Sequence, residues 1–140
     1  MRAGTAEILR EGGELVLWVL GALVRQAMLA ADALLRRGIR IGVVDARFAK
    51  PLDEELFCKH LRAYRHVVAI EEHQRAGGFG SALLEVASRL PDAKARVKVL
   101  GVPDRFVEHM SSRDEQLAAA GLDAEGIEKS VVAVLRASLV

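Results

Sequence analysis

Six consecutive apolar residues, Leu15 to Leu20 (LVLWVL), leave a folding chain few options. A strand with one wet face alternates apolar and polar residues, whereas an unbroken run belongs to a strand covered on both faces. Similar texture recurs at Ile39 to Val44 and His66 to Glu71, and Arg96 to Val102 (RVKVLGV) supplies another strand. Between these runs the period changes. Leu23, Ala27, Ala30, Ala31 and Leu34 fall on one helix face, which closes with Arg36, Arg37 and Gly38, a basic last turn and a glycine stop. Asp53 caps a helix running to about Tyr64, with Glu54 and Glu55 in its first turn, where carboxylates suit the dipole. Ala82, Leu83, Val86 and Leu90 mark the buried face of a third helix. Ser111 or Ser112 opens a short one ending at Gly121, and Asp123 caps a last one with Ile127, Val131, Val134 and Leu135 on one face. The early AEILR is short, half-alternating and set apart by EGG, as an edge strand would be.

Strands alternating with helices predict an α/β fold, a mainly parallel sheet with helices on both faces. The 140 residues suit a single domain over 1–140. A net charge of +1 gives no broad attraction to nucleic acid or anionic lipid. The one cysteine, Cys58, excludes an internal disulfide and fits a reducing compartment. It lies in the helical pattern EELFCKHL and reads as a packed thiol. The apolar run LVLWVLGALV is well short of the ~20 residues a bilayer requires, and the N-terminus lacks a signal peptide's layout. A soluble, cytoplasmic domain is expected.

Four features invite a chemical reading. In GGFGS, Gly78 and Gly80 match the first two glycines of a dinucleotide fingerprint, but Leu83 fills the third place and the preceding loop is too long. Glycines here serve tight turning and close packing on the sheet, or an exposed helix N-terminus facing a partner or anion. The histidines, at 60, 66, 73 and 109, form no metal-ligand spacing with Cys58. Glu71 and Glu72 are adjacent on an extended chain and point to opposite sides, so a joint acid–base role is not expected; one of them bonds loop amides. DARFAKPLD, residues 45–53, is the fourth. Ligands of open parallel sheets gather beyond the carboxyl ends of strands, where Asp45 and Arg47 fall. The Arg47 guanidinium is a planar fork matched to phosphate or carboxylate, and charged hydrogen bonds of this kind contribute roughly 1.5–3 kcal/mol each. An ion pair with Asp45 that fixes the turn is an equally open reading. Lys50 faces solvent beside Pro51, and VPDRFVEH repeats the theme with Asp104 and Arg105 after a later strand.

In order, AEILREGGELVLWVLGALV, VVDARFAKPLD, VVAIEEHQRAGGFGSALLE, VLGVPDRFVEH and DEQLAAAGLDAEGI resemble the C-terminal domain of the 1-deoxy-D-xylulose 5-phosphate synthase family, over about residues 5–137. EE…GGFGS recurs across transketolase-like enzymes; DARFAKPLD with PDRF and AGLDAEGI is more particular. The resemblance implies a three-layer α/β/α sandwich on a five-stranded mixed sheet, four strands parallel and AEILR antiparallel at the edge. It implies part of a transferase, dependent on thiamine diphosphate and magnesium, that condenses pyruvate with glyceraldehyde 3-phosphate and releases carbon dioxide, at the head of non-mevalonate isoprenoid synthesis. The family's DARF arginine helps hold the aldehyde's phosphate, a role that passes by motif to Arg47, with Asp45, Glu72 and Gly78 at the same active-site edge. The family binds cofactor and metal in two earlier domains, so neither is expected to bind here. The chain alone is expected to be inactive, either a fragment or the C-terminal section of a split enzyme. Its expected partners are those thiamine-diphosphate-binding domains, in a homodimer when complete, with no nucleic acid and no membrane. The alternatives are the same domain of another transketolase-like enzyme, and a stand-alone module binding a small anion at the strand ends.

Overall fold

Each expected strand and helix is present, and the differences lie at their ends. The computed structural model describes residues 3–74, 78–102 and 112–138. The elements are β1 (Glu7–Arg10), β2 (Leu15–Leu20), α1 (Val24–Arg36), β3 (Gly42–Asp45), α2 (Glu54–Ala63), β4 (His66–Gln74), α3 (Phe79–Arg89), β5 (Arg96–Val102), α4 (Arg113–Ala120) and α5 (Ala124–Ala137). They build one five-stranded sheet in the order β1-β3-β2-β4-β5. β1 runs antiparallel to β3, and the remaining pairs are parallel.

The second apolar run enters the sheet at Gly42 rather than Ile39. The Ile39 amide is still engaged in closing α1, donating to the Leu34 carbonyl at 2.9 Å, so it cannot join a ladder. β4 continues to Gln74, three residues past the expected end. The third helix starts at Phe79, and its buried face is Phe79, Gly80, Leu83 and Val86; Ala82 and Leu90 are only partly covered. The cap residues behave as their chemistry dictates. Asp53 accepts from the Leu56 amide at 3.1 Å, Asp123 from Gly126 at 2.9 Å and Ser112, rather than Ser111, from Glu115 at 3.1 Å. Gly121 closes α4 at φ +74°, a conformation glycine adopts without penalty.

Alternate residues of the central strands feed two cores. On one face Leu15, Leu17, Val19, Val43, Val68 and Ile70 meet α1 and α5. On the other, Val16, Trp18, Val44, Val67 and Ala69 meet Phe57 and Leu61 of α2 and Phe79, Leu83 and Val86 of α3. The result is the three-layer arrangement expected. β5 departs from the rest: Val97 and Val99 pack on the α3 side, while Arg96 and Lys98 on its opposite face are exposed. Cys58 packs against the α2–α3 core. Among the described residues no helix is long and apolar enough to cross a membrane.

Candidate functional site

The carboxyl ends of the parallel strands form one rim. Asp45 lies level with Val19, and Val19 with Ile70, so β3 and β2 finish together while β4 runs on beyond them to Gln74. The helix after β2 lies on one face and the helices after β3 and β4 on the other. Strand order therefore reverses between β2 and β4, the kind of position where open parallel sheets take their ligands. Leu20 ends β2 and Gly21 follows it at that switch point. Gly21 has φ +89°, and a Cβ there would meet nothing within 4 Å.

DARF occupies the rim one strand away. The chain leaves β3 with the Ala46 amide still bonded to the Val19 carbonyl at 2.8 Å. Arg47 then takes φ +62°, the one non-glycine residue with positive φ among the described residues. Aspartate two positions earlier makes this turn possible: the Arg47 amide donates to Asp45 Oδ1 at 3.0 Å, an Asx turn. A left-handed arginine costs of order 1 kcal/mol, and such strain persists only where surrounding contacts over-determine it. The guanidinium supplies one of those contacts. Its Nη2 pairs with Glu7 of β1, with about a fifth of the Arg47 side chain and half of Glu7 open to solvent. Asp45 thus holds the turn through the Arg47 backbone, while the ion pair read from the sequence forms with Glu7 instead. No spacing rule could have identified a partner 40 positions away.

Asp53 fastens the same corner from below. Besides capping α2, it accepts from the Ala6 amide at 2.8 Å, tying the segment before β1 to the helix. Arg47, Glu7, Asp53, Leu56, Lys59 and Arg62 border an open groove of about 680 Å³ between β1 and α2. Lys50 is exposed, as expected.

Two strands across, about 9.5 Å by sheet spacing, the paired glutamates separate as their alternation requires. Glu71 is 1% exposed and turns to the α3 side, where it accepts from the amides of Phe79 at 2.7 Å and Gly80 at 3.1 Å. It is the loop-amide glutamate of the pair. Gly78 is the N-cap of α3 and has no side chain with which to cap it, so a strand carboxylate does so. Two α3 amides are therefore already engaged. Gly80 is required by contact: a Cβ would lie 2.4 Å from Val99 Cγ1 and 3.2 Å from Glu71 Oε1. Close packing on the sheet is thus the role of this glycine. Glu72 points the other way and pairs with Arg113 at the start of α4.

Asp45 and Arg47 are brought together, and Glu72 and Gly78 share their rim but belong to separate networks. Asp104, Arg105 and His109, and the side chain of His73, lie outside the described residues. Among the described residues no three histidines, cysteines or acids are grouped to hold a metal ion.

The family described as transketolase, C-terminal domain, matches residues 4–127. The chain is 44% identical over 133 residues to the 1-deoxy-D-xylulose-5-phosphate synthase of Syntrophotalea carbinolica, covering 94% of this chain and 20% of that protein. Identity to the Aquifex aeolicus protein of the same name is 46% over 128 residues, 91% of this chain and 20% of the relative. A solved structure described as a split gene transketolase, inactive beta4 tetramer, superimposes with a TM-score of 0.86 at 34% identity, covering 97% of this chain and 44% of that one. The chain spans about a fifth of the length of the curated relatives it matches.

Proposed function

The chain belongs to the transketolase C-terminal domain family, and from that premise we propose that it is the third domain of a 1-deoxy-D-xylulose 5-phosphate synthase. The observation that carries this reading is 44–46% identity across more than nine-tenths of the chain to enzymes of that name. The complete enzyme joins pyruvate to glyceraldehyde 3-phosphate with loss of carbon dioxide. Thiamine diphosphate and magnesium belong to its other domains, on the same polypeptide or on a separate one, and complete the active site as a homodimer in the cytoplasm. No catalytic step is assigned to residues here. The domain's task is to close one edge of the active site and to help fix domain packing.

Within that task Arg47 is the residue proposed to contact the aldehyde's phosphate, with Asp45 holding its backbone. Glu7 then serves as the resting partner that phosphate displaces, exchanging one charged acceptor for another. A second reading rests on the Glu7 pair itself: Arg47 ties the edge strand β1 to the rim and touches no substrate. Arg47→Ala in the complete enzyme separates the two. Phosphate contact predicts a KM for glyceraldehyde 3-phosphate raised tenfold or more, consistent with loss of a charged hydrogen bond of roughly 1.5–3 kcal/mol, and a KM for pyruvate changed less than twofold. The tie predicts unchanged KM values and equal falls in Tm for Arg47→Ala and Glu7→Ala.

A further inference from the structure

The opposite end of the sheet carries charge that the proposed function leaves unused. At the amino ends of β4 and β5 a groove of about 620 Å³ is bordered by Arg65, His66, Lys94, Arg96 and Lys98. Its other wall is α5, which contributes the small residues Ala133 and Ala137. Among the described residues no carboxylate lines it, in a chain whose net charge is only +1. Lys94, Arg96 and Lys98 take part in none of the ion pairs among the described residues, and Arg65 approaches Glu14 at 3.7 Å with both side chains more than half exposed. So loose a surface pair neutralises little.

The cations are assembled by backbone register. His66 pairs with Arg96 and Val68 with Lys98, which puts Arg96, Lys98 and His66 on one face of two neighbouring strands. The peptide ahead of each strand is pinned. The Arg65 and His66 amides both donate to the Glu14 carbonyl at 3.0 Å, those of Lys94 and Ala95 to Leu61 at 2.8 and 2.9 Å, and that of Arg96 to Arg65 at 2.9 Å. A parallel strand covered on both faces would be apolar throughout, and this stretch of β5 is not.

His66 gives the independent sign. The residue is 7% exposed, and its Nε2 is buried without a hydrogen-bond partner. A buried polar atom left unmatched is costly and calls for a ligand or an ordered water. Burial first, then Arg65 and Arg96, holds its pKa below the ordinary 6.5, with Glu14 opposing.

We propose that this groove binds a small phosphate-bearing anion, which the guanidinium and ammonium groups of Arg65, Lys94, Arg96 and Lys98 clasp and toward which the His66 ring turns to donate from its now buried Nε2. Two arginine forks suit phosphate oxygens, and the two lysines add point charge. The site is distinct from the DARF rim, lying at the other end of the strands.

The test titrates this chain with inorganic phosphate and inorganic diphosphate at about 0.15 M salt, where diffuse attraction is screened beyond about 8 Å. Amide and histidine-ring NMR signals are followed. Saturable shifts confined to residues 65–68, 94–98 and 133–138 are expected, with the His66 pKa rising as the anion binds. The exposed double variant Arg96→Gln/Lys98→Gln should weaken binding at least tenfold. Arg25→Gln/Arg36→Gln, which removes equal charge from α1, should leave it unchanged. Non-saturating shifts at all basic residues, or equal weakening by both double variants, would overturn the site. Association with phosphatidylglycerol vesicles in the absence of phosphate or diphosphate binding would overturn the small-anion assignment in favour of a membrane surface.

Discussion

Replacing Glu71 with alanine is expected to lower the unfolding free energy by about 3–5 kcal/mol, because two charge-assisted hydrogen bonds are lost and their buried donors are left unmatched. The Phe79 and Gly80 amides both end on this one carboxylate, and α3 has no cap of its own. Water cannot readily substitute: Glu71 is 1% exposed, and Phe79 packs at 2% exposure beside it. For a domain of this size the loss corresponds to a midpoint roughly 10 °C or more lower. Thermal unfolding followed by circular dichroism reads it directly. Glu71→Gln keeps a neutral acceptor of the same shape and should lose about half as much. A loss below about 1 kcal/mol for the alanine variant would mean that the two amides find other partners and that Glu71 is not what anchors α3.

Trp18→Ala should cost about as much, 3–5 kcal/mol, for a different reason. Trp18 is fully buried in mid-sheet and packs edge-on against Phe57, with ring centroids 5.1 Å apart. Its Nε1 also donates to His60 Nδ1 at 3.0 Å, which requires that nitrogen to carry no proton. Burial chiefly, with Lys59 adding and with Glu11 and Asp53 opposing, holds His60 below its ordinary pKa of 6.5. His66 is lowered as well. Between the lowered folded values and 6.5 the unfolded chain therefore binds more protons than the folded one. The stability that neutral histidines contribute is complete above about pH 6.5 and is lost as pH falls through that window. Urea unfolding from pH 7.5 to 5 should show this decline. Trp18→Phe removes the donor that favours a bare Nδ1, so the decline should become shallower while the His66 share persists. A profile flat across pH 6.5, or one that steepens in Trp18→Phe, would contradict the assignment.

Local chemistry made most of the fold legible. Asp53, Asp123 and Ser112 cap where their side chains can reach the amide three positions on, and the apolar runs declare strands covered twice. What escaped was set by distance along the chain. Gly38 did announce the helix stop, and the residue after it, Ile39, completes that stop through Leu34, so the second strand starts three residues later than its apolar run. The partners that escaped lie farther off. Arg47 was identifiable as a charged residue at a strand end, but not its left-handed backbone, nor Glu7 as its partner from an antiparallel edge strand. Adjacent carboxylates on a strand must diverge, and Glu71 and Glu72 do; that the first caps α3 depends on how β4 and α3 pack. The basic groove escaped for the same reason, since His66 and Arg96 meet only once β4 and β5 are in register.

The most direct test of the account combines this chain with the thiamine-diphosphate-binding domains of its own enzyme, on one polypeptide or two, and identifies the product formed from pyruvate and glyceraldehyde 3-phosphate. The prediction is 1-deoxy-D-xylulose 5-phosphate with stoichiometric carbon dioxide, and no product from the 140 residues alone. Ketol transfer from a sugar phosphate with no use of pyruvate would contradict it, as would full synthase activity in an assembly from which this domain has been removed.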